Sequence, residues 1–523
     1  MKFYPSIKKI DKTWLWCLLI LLLAIGIRCY KFSGKTDMFL DEYLSVVISV
    51  YHEDAGNDAW FTGLTNDSVI YTGKEIKAAL LSDGNSMSDI LRDVKLMRHF
   101  TRDAPQTNLY YSFLRLSFLN ADEGNVDQIM VRGFILNLAL FLLGFIVFCC
   151  LAKRLFQNKI LIVCVVAIAF LSPAVIGNTL FLRPYQLQET IFILLSYLFV
   201  LNSFAILKAE RIDTWKNMLV LAFVSALALL SGYFAIFYIF ILGGALILLS
   251  YKNKIKDNIP FYLFTFILAY VFVLVIYVNY NYGLTAGRAT ESMDKLNGDF
   301  LIQNIFKTFQ GLYFEIKEFY FGLPVLILLI LSIVGIFLFK GKTRMEKSSK
   351  IISCCLIISG AIWILIVMFF APYKVVRYIM PVFPLVSLVV PVILSYYNKK
   401  YSIALSIVLF SLITVKSLSS NNIYWGVTPV DKDYIKNENI PLIVSKTEVI
   451  DQVALIPYYS DKRSVEFTSS SDSFLSKVEK HNKVYVIVSS KFPDDYSIPY
   501  NYKIERRSDA GEFFTLYQLN RID

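Results

Sequence analysis

Eleven long runs of apolar residues divide this chain of 523 residues, and they restrict its fold more than any other feature. A helix that crosses a bilayer needs roughly 20 consecutive apolar residues. Only 18% of the residues are charged, whereas a soluble protein of this size carries about 25%. The sequence therefore predicts an α-helical polytopic membrane protein. Its predicted spans lie near residues 13–30, 131–152, 160–178, 187–207, 215–231, 233–250, 259–279, 322–339, 351–371, 377–396 and 402–417.

The basic residues between the spans predict the orientation. With a cytoplasmic N-terminus, every short inside loop carries Lys or Arg, as the positive-inside rule requires. The first apolar run ends in IGIRCY without a small-residue cleavage site, which indicates an uncleaved span. Arg28, at the end of this span, is expected to extend to the membrane interface.

Three long segments then fall on the extracytoplasmic side, at about 31–130, 280–321 and 418–523. The first contains two amphipathic stretches, DILRDVKLMRHF and TNLYYSFLRLSFL, which predict helices that lie along the interface. The last contains four short runs typical of strands, PLIVS, VALIPYY, KVYVIVSS and FTLYQL. We therefore predict a membrane domain over 1–417 and a small α/β domain over 418–523.

Two classes of site are disfavoured. The net charge of +11 is spread as short clusters between spans, so it does not form a nucleic-acid-binding face. The seven cysteines lie in or beside apolar runs, and the chain has only three histidines. A thiolate or histidine metal site is therefore not expected.

Basic residues on the outer side are the exception to the charge rule. Arg183, Lys374 and Arg377 are the only ones in the short outer loops, and Tyr185 and Tyr378 accompany them. A phosphate group at the outer interface would explain them, because Arg binds phosphate in a bidentate manner and Lys as a point charge. The alternatives are an ion pair with Glu189 or contact with a lipid headgroup. Arg288 is a further candidate contact, since it is the only Arg in the segment 280–321.

Carboxylates also follow the first span. Asp41 and Glu42 stand in FLDEYLSV, and Asp103 stands in TRDAPQTNLYY. A charged side chain beside low-dielectric lipid is costly and usually marks a functional site. A hydroxyl that attacks a sugar carbon needs a general base, and a carboxylate at such a boundary can have its pKa raised toward that task.

The order of these features resembles the GT-C superfamily of membrane glycosyltransferases, in the branch of the protein O-mannosyltransferases and the lipid A aminoarabinose transferases. The resemblance extends to about residue 396. Its residues are Asp41-Glu42, RDAPQTNLYYSFLRL (102–116), VRGFILNLALFLLGF (131–145), SPAVIGNTLFLRPYQLQ (172–188) and RYIMPVFP (377–384).

The resemblance implies transfer of a sugar from a polyprenyl-phosphate carrier, generally with inversion, at the outer face of a bacterial inner membrane. Asp41 would be the base and Glu42 would support it, while Arg183, Lys374 and Arg377 would hold the donor phosphate. The acceptor is a glycan, a lipid or a protein hydroxyl. No cofactor is required, although a divalent metal ion is compatible with this chemistry.

The chain also departs from the family. The segment 104–111 reads APQTNLYY, without the His and second Pro that relatives carry there, so Asp103 is the weaker candidate. Eleven spans are two fewer than the thirteen of better-known members, a difference that one miscounted pair would explain. The rival functions are a polysaccharide polymerase or ligase and a flippase or transporter for lipid-linked glycans. A transporter would place charges at mid-membrane and show internal repeats.

Overall fold

The computed structural model describes most of the chain. The described residues are 12–50, 68–82, 84–99, 108–210, 215–278, 280–281, 298–338, 343–371, 373–420, 430, 432–445, 449–468, 470–489, 498–510 and 514–522. The chain divides into two compact units. We call the first the helical unit (1–34, 103–110 and 134–424) and the second the sheet unit (35–102, 111–133 and 425–523).

Seven helices among the described residues are long and apolar enough to cross a membrane. They are α1 (Lys12–Ser33), α6 (Val126–Leu155), α9 (Tyr185–Leu207), α11 (Ala235–Lys252), α12 (Asn258–Ile276), α15 (Lys347–Phe370) and α18 (Lys399–Ser419). The number rises to nine if each of two bent helix pairs is one span. The first pair is α7 (Lys159–Leu171) with α8 (Pro173–Leu180), and the second joins the helix ending at Tyr320 to α14 (Leu323–Leu338). The prediction of a multi-pass helical membrane protein is confirmed.

The two remaining predicted spans are short apolar helices. One is α10 (Trp215–Ser231). The other, over Met380–Leu394, is interrupted and consists of a 3₁₀ turn (Met380–Val382) followed by α16 (Phe383–Val386) and α17 (Val389–Leu394). A further 3₁₀ turn (Val376–Tyr378) precedes it. The interrupted segment contains Pro381, Pro384 and Pro391, and proline removes a helical hydrogen bond and clashes with the preceding turn. The hydropathy pattern detected this segment but could not predict its interruption.

Part of the segment predicted as the second outer loop is helical. Helix α13 (Gly298–Glu315) continues as a π-helix (Ile316–Tyr320), and the chain then turns by 102° before α14. Gly322 lies in this turn with φ +77°, a conformation that glycine adopts without steric cost. The segment predicted as the second large extracytoplasmic loop therefore contains a helix in its described second half, and its side of the membrane stays a prediction.

The sheet unit contains a sheet of six strands in the order β1-β3-β2-β4-β6-β5. The strands are β1 (Ile70–Thr72), β2 (Leu442–Val444), β3 (Ser464–Phe467), β4 (Lys483–Ser489), β5 (Tyr502–Asp509) and β6 (Phe514–Arg521). β2 pairs in parallel with β3 and β4, and the other pairs are antiparallel. Parallel neighbours need a crossover, which α20 (Val449–Ala454) and α21 (Ser471–Val478) supply.

Two sequence predictions for this unit need correction. The run VALIPYY forms the end of α20 and a 3₁₀ turn at Ile456–Tyr458 instead of a strand, because a short apolar run does not distinguish a buried strand from a buried helix. The first large loop also belongs with the tail, since β1 pairs with β3 and places Ile70 opposite Glu466. The α/β domain is therefore not confined to 418–523.

The other helices of the sheet unit come from the first loop. They are α2 (Leu40–Ser49), α3 (Gly73–Leu81) and α4 (Met87–Met97), while α5 (Asn108–Ser117) crosses the boundary between the units. α4 and α5 lie where amphipathic helices were predicted. The Arg115 side chain is fully buried, and its Nε donates to Asp93 Oδ2 at 2.6 Å and its Nη1 to Asn85 Oδ1 at 2.6 Å. A short α19 (Lys432–Lys436) completes the unit.

Candidate active site

Helix α2 presents Asp41 and Glu42 in different ways. Glu42 is buried, and its Oε2 accepts a hydrogen bond from the backbone N–H of Phe39 at 2.9 Å. Its Oε1 forms an ion pair with Lys35. The hydrogen bond from Phe39 forms the reciprocal half of a capping box, which satisfies a backbone donor at the start of the helix. Asp41 is half-buried, so of the two carboxylates it is the one more open to a reacting group.

A third carboxylate in this segment was missed by the sequence analysis. Asp37 Oδ1 accepts hydrogen bonds from the Tyr43 hydroxyl and from the backbone N–H of Met38, the latter at 2.7 Å. Burial raises the pKa of Asp37, and the hydrogen bonds from Tyr43 and Met38 oppose that change. The same burial raises the pKa of Tyr43 well above its ordinary value. The sequence signal that could have identified Asp37 was a carboxylate four residues before Asp41. It is a weaker signal than the adjacent pair Asp41-Glu42.

Asp37 and Tyr43 line a cleft of about 1180 Å³ within the sheet unit. Seven carboxylates, three lysines and three tyrosines contribute to its wall; they are Asp37, Glu75, Asp122, Glu123, Asp127, Glu438, Asp461, Lys74, Lys77, Lys462, Tyr43, Tyr434 and Tyr459. Carboxylates accept hydrogen bonds and lysines donate them. The lining can therefore hydrogen-bond the hydroxyl groups of a ligand, and its excess of negative charge disfavours a polyanion.

The helical unit brings together two of the predicted cationic segments. Arg183 is 8% exposed and lies in the turn before α9, where its N–H donates to Phe181 O at 2.7 Å. The Tyr185 ring stacks on Phe181, with centroids 6.1 Å apart, and meets the Tyr378 ring edge-on at 6.3 Å. Arg377 precedes Tyr378 and places its guanidinium 5.4 Å from that ring centroid. The segments around Arg183 and Arg377, almost 200 residues apart in sequence, thus meet through two tyrosines.

Lys374 has a structural function in addition to its predicted one. Its Nζ donates to Phe369 O at 2.9 Å and to Ala371 O at 3.2 Å, at the C-terminal end of α15. The carbonyl groups of a helix C-terminus lack helical partners and attract a cation. This contact gives the lysine a reason to be near the predicted outer face that does not require phosphate.

Glu189 belongs to a buried polar cluster in the helical unit. Its Oε2 accepts from Asn178 at 2.5 Å and its Oε1 from Gln186 at 3.2 Å. Gln186 Oε1 in turn accepts a hydrogen bond from the Thr179 hydroxyl, and that hydroxyl accepts one from Arg28 Nε at 2.9 Å. Arg28 is fully buried and its guanidinium lies 3.8 Å from the Phe141 ring centroid. The prediction that Arg28 extends to the interface is wrong, because neighbouring oxygens bind it inside the bundle.

The roles of two candidate residues and the binding of a metal ion stay predictions. Asp103 and Arg288 lie outside the described residues. Within the described ranges, no group of three or more His, Cys, Asp or Glu side chains is arranged to hold a metal ion.

Comparisons with known proteins give distant structural likenesses. No protein-family model matches the chain, and no curated protein does. A crystal structure of ArnT from Cupriavidus metallidurans bound to undecaprenyl phosphate is similar with a TM-score of 0.47 and 12% identity, over 96% of this chain and 98% of that chain. The apo structure of the same protein gives a TM-score of 0.48 and 13% identity, over 97% and 98% of the two chains.

Proposed function

We propose that the chain is a GT-C-type membrane glycosyltransferase. It transfers a sugar from a polyprenyl-phosphate-linked donor to an acceptor hydroxyl at the extracytoplasmic face, with inversion at the anomeric carbon. The acceptor belongs to a lipid-linked glycan, an envelope polysaccharide or a protein. Bacterial inner membrane is the proposed location, with the N-terminus in the cytoplasm and the sheet unit outside.

The observation that supports this proposal most strongly is the meeting of the Arg183 and Arg377 segments through Tyr185 and Tyr378. Both arginines are in outer loops of the predicted topology, where cations are normally scarce. Arginine guanidinium groups match a phosphate in geometry and charge, and tyrosine hydroxyls can donate further hydrogen bonds to it. The ArnT structures are too distant to support the assignment, which rests on the residues of this chain.

The proposed chemistry assigns each group a role. The acceptor oxygen attacks the anomeric carbon, and the bond from that carbon to the phosphate oxygen breaks. The electron pair of that bond goes to the lipid phosphate, whose developing charge Arg183 and Arg377 stabilise. Asp41 accepts the hydroxyl proton as general base, and Glu42 positions Asp41 by capping α2. Lys374 adds a positive charge near Arg377 while it caps α15.

The test is sugar transfer in membranes that contain the wild type or Asp41→Asn, supplied with a pool of polyprenyl-phosphate sugars. Release of the free carrier phosphate is measured at matched protein levels. We expect release by the wild type and a loss of about 1000-fold in Asp41→Asn, within the range of general-base contributions. Asp472→Asn is the matched control, since Asp472 is an exposed carboxylate on α21. Equal release by wild type and Asp41→Asn would show that Asp41 is not the general base. No release by either would overturn the proposed transferase activity.

A transporter for lipid-linked glycans is the second candidate, and one observation favours it. Arg28 and Glu189 are both buried among spanning helices. Buried ionisable residues in a membrane bundle commonly mark transport pathways. Movement of a labelled lipid-linked sugar across vesicles without release of free carrier phosphate would select this function over the transferase.

A further inference from the structure

Helices α1, α7 and α18 of the helical unit surround an apolar groove of about 600 Å³. α7 contributes the buried side chains of Cys164 and Ala167, which form the floor. α1 and α18 contribute large exposed side chains, such as Trp16 and Ile407, which form the walls. Because the floor is made of small residues and the walls of large ones, the groove can hold an apolar chain.

The three helices run in parallel and meet at their C-terminal ends. Lys31 Nζ on α1 donates to Leu418 O at 2.8 Å and to Ser420 O at 3.0 Å. The Ser417 hydroxyl on α18 donates to the carbonyl group of Leu171, the last residue of α7. The residues that line the groove lie within 12–23, 159–167 and 403–410. The groove therefore separates only the N-terminal halves of the helices.

The length of the groove matches one leaflet of a bilayer. Lys12 and Leu23 are its first and last lining residues on α1 and are eleven residues apart, which corresponds to roughly 16 Å of helix. The hydrocarbon core of a bilayer is about 30 Å thick, so one leaflet supplies about 15 Å. The one hydroxyl group of the lining, on Ser406, donates to Ser402 O at 2.7 Å. The groove thus suits the acyl chain of a lipid in the adjoining leaflet.

Two lysines lie at one end of this otherwise apolar groove. Lys12 begins α1 and Lys159 begins α7, and both side chains are exposed. The first turn of a helix favours negative charge, so neither lysine is placed to stabilise its own helix. The positive-inside rule explains cations on this side of the membrane but not their position at the end of a groove. A phosphate group there would meet two ammonium groups and the positive ends of two helix dipoles.

We propose that the groove binds an anionic phospholipid of the adjoining leaflet, with an acyl chain between α1 and α18 and the headgroup phosphate on Lys12 and Lys159. In the predicted topology this leaflet is the cytoplasmic one, whose anionic lipids attract lysines at the membrane surface. The bound lipid links the N-terminal halves of the three helices, as Lys31 and Ser417 link their C-terminal halves. This inference does not depend on the proposed function, because it uses none of the residues assigned to sugar transfer.

Trp16 lines the groove and reports on its occupant. The full chain is placed in nanodiscs of zwitterionic phospholipid with increasing fractions of phosphatidylglycerol that carries bromine on its acyl chains, which quenches indole fluorescence at short range. The signal of Trp16 is the difference between each protein and its Trp16→Phe variant. Half-maximal quenching should need an about twentyfold lower fraction of brominated phosphatidylglycerol than of brominated phosphatidylcholine. Equal fractions would overturn the preference for an anionic lipid.

The lysines are tested by removing and by keeping their charge. Lys12→Gln and Lys159→Gln should each raise the required fraction of phosphatidylglycerol about fivefold. Lys12→Arg and Lys159→Arg should stay within about twofold of the wild type, because they keep a cation. Lys252→Gln is the control, since Lys252 is an exposed lysine at the end of α11 that does not line the groove. An equal loss in Lys252→Gln would show that the overall surface charge acts, and would overturn the site.

The shape of the groove is tested without a change of charge. Val163→Phe places a ring at a half-buried lining position, so an acyl chain no longer fits and the preference for phosphatidylglycerol should fall below about threefold. Val408→Phe is the matched control, since Val408 is exposed on α18 outside the groove, and it should keep the wild-type preference. A diffuse layer of anionic lipid around the lysines would be unaffected by Val163→Phe, and that result would overturn the groove.

Two further outcomes identify a different occupant. Undecaprenyl phosphate that displaces the brominated lipid at a tenfold lower fraction than unlabelled phosphatidylglycerol would assign the groove to the carrier lipid and overturn the phospholipid. Absence of quenching by either brominated lipid, together with a complex of two chains that Val163→Phe dissociates, would assign the groove to a second copy and overturn it as well. Neither outcome depends on whether the chain transfers a sugar.

Discussion

The helical unit and the sheet unit bury cationic side chains in different ways. In the helical unit, Arg28 donates to the carbonyl groups of Ala24 and Phe170, and Lys31 donates to those of Leu418 and Ser420. These partners are neutral. In the sheet unit, three buried or nearly buried cations meet carboxylates, in the pairs Arg115–Asp93, Lys35–Glu42 and Lys477–Glu466. Arg463 of the same unit is an exception, since it donates to the carbonyl groups of Tyr434 and Asn437.

This difference has a functional meaning. A cation bound by neutral carbonyls keeps its full charge, so its surroundings retain a positive potential that attracts an anion. A cation paired with a carboxylate contributes little net charge. The proposed function assigns the lipid phosphate to Arg183 and Arg377 of the helical unit, and the surplus of carboxylates around the cleft of the sheet unit suits a ligand with hydroxyl groups.

The largest expected effect on stability tests the carboxylate pairing in the sheet unit. Arg115→Met should lower the free energy of unfolding by about 3–5 kcal/mol, because Asp93 stays buried with only the longer Arg92 contact, at 3.3 Å, among its described ion pairs. Arg463→Met is the matched control in the same unit. Arg463 is also fully buried, but it donates to the carbonyl groups of Tyr434 and Asn437. Its replacement therefore takes no partner from a buried carboxylate and should lower the free energy of unfolding by less.

Pulse proteolysis in urea measures both variants. The double variant Arg115→Met/Asp93→Leu should recover part of the loss, since it removes the stranded carboxylate. Equal destabilisation by Arg115→Met and Arg463→Met would mean that the pairing with Asp93 is not what distinguishes the sheet unit.

A smaller effect is expected at the proposed phosphate contacts of the helical unit. Arg377→Lys keeps the charge but loses the planar fork that binds phosphate in a bidentate manner. We expect the dissociation constant for undecaprenyl phosphate to rise about tenfold, with little change in thermal stability. Lys307→Arg is the control, since Lys307 is an exposed cation on α13. Unaltered affinity in Arg377→Lys would indicate that the site uses only net charge.

Sequence reasoning predicted the helices well because apolar runs are a local signal. Each of the eleven predicted spans overlaps described helical residues, but only seven to nine of the described helices or helix pairs are long and apolar enough to cross a membrane. It failed where the structure depends on distant residues. The pairing of β1 with β3 joins positions almost 400 residues apart, and no local pattern in Ile70–Thr72 reveals that partner.

The candidate site was predictable to a similar extent. The charge rule identified Arg183 and Arg377, and the structure places their segments together. Asp37 was not predicted, because its environment depends on burial and on hydrogen bonds from Tyr43 and Met38. Lys374 illustrates a third case, in which an exception to the charge rule has a helix-capping contact.

Helix caps are a place where the two units should behave alike. Thr72 accepts from Glu75 N at 3.2 Å at the start of α3, and Asn398 accepts from Tyr401 N at 3.0 Å at the start of α18. Both caps are exposed, so neither depends on how its unit buries charge. Thr72→Ala and Asn398→Ala should each cost about 1 kcal/mol. Amide exchange in the first turn of each helix measures this loss of local stability. Clearly unequal losses in the two variants would mean that the difference between the units also holds at their surfaces.

The smallest effect concerns Asp37 of the sheet unit, whose carboxylate is bound by two neutral donors, Tyr43 and Met38. Burial raises the pKa of Asp37, and the two hydrogen bonds oppose that rise. The folded state therefore binds a proton at pH values where the unfolded chain has lost it. The free energy of unfolding must then fall as pH increases from the ordinary pKa near 3.8 through the raised pKa.

Asp37→Asn should flatten this part of the stability profile and be more stable than the wild type above the raised pKa. Unfolding of the sheet unit between about pH 4 and pH 8 measures this, with Asp472→Asn as a control that keeps the wild-type slope. Parallel profiles for wild type and Asp37→Asn would mean that the hydrogen bonds from Tyr43 and Met38 fully offset the effect of burial on the pKa of Asp37. Neutral partners would then stabilise a buried anion in the sheet unit as well as they stabilise the Arg28 cation in the helical unit.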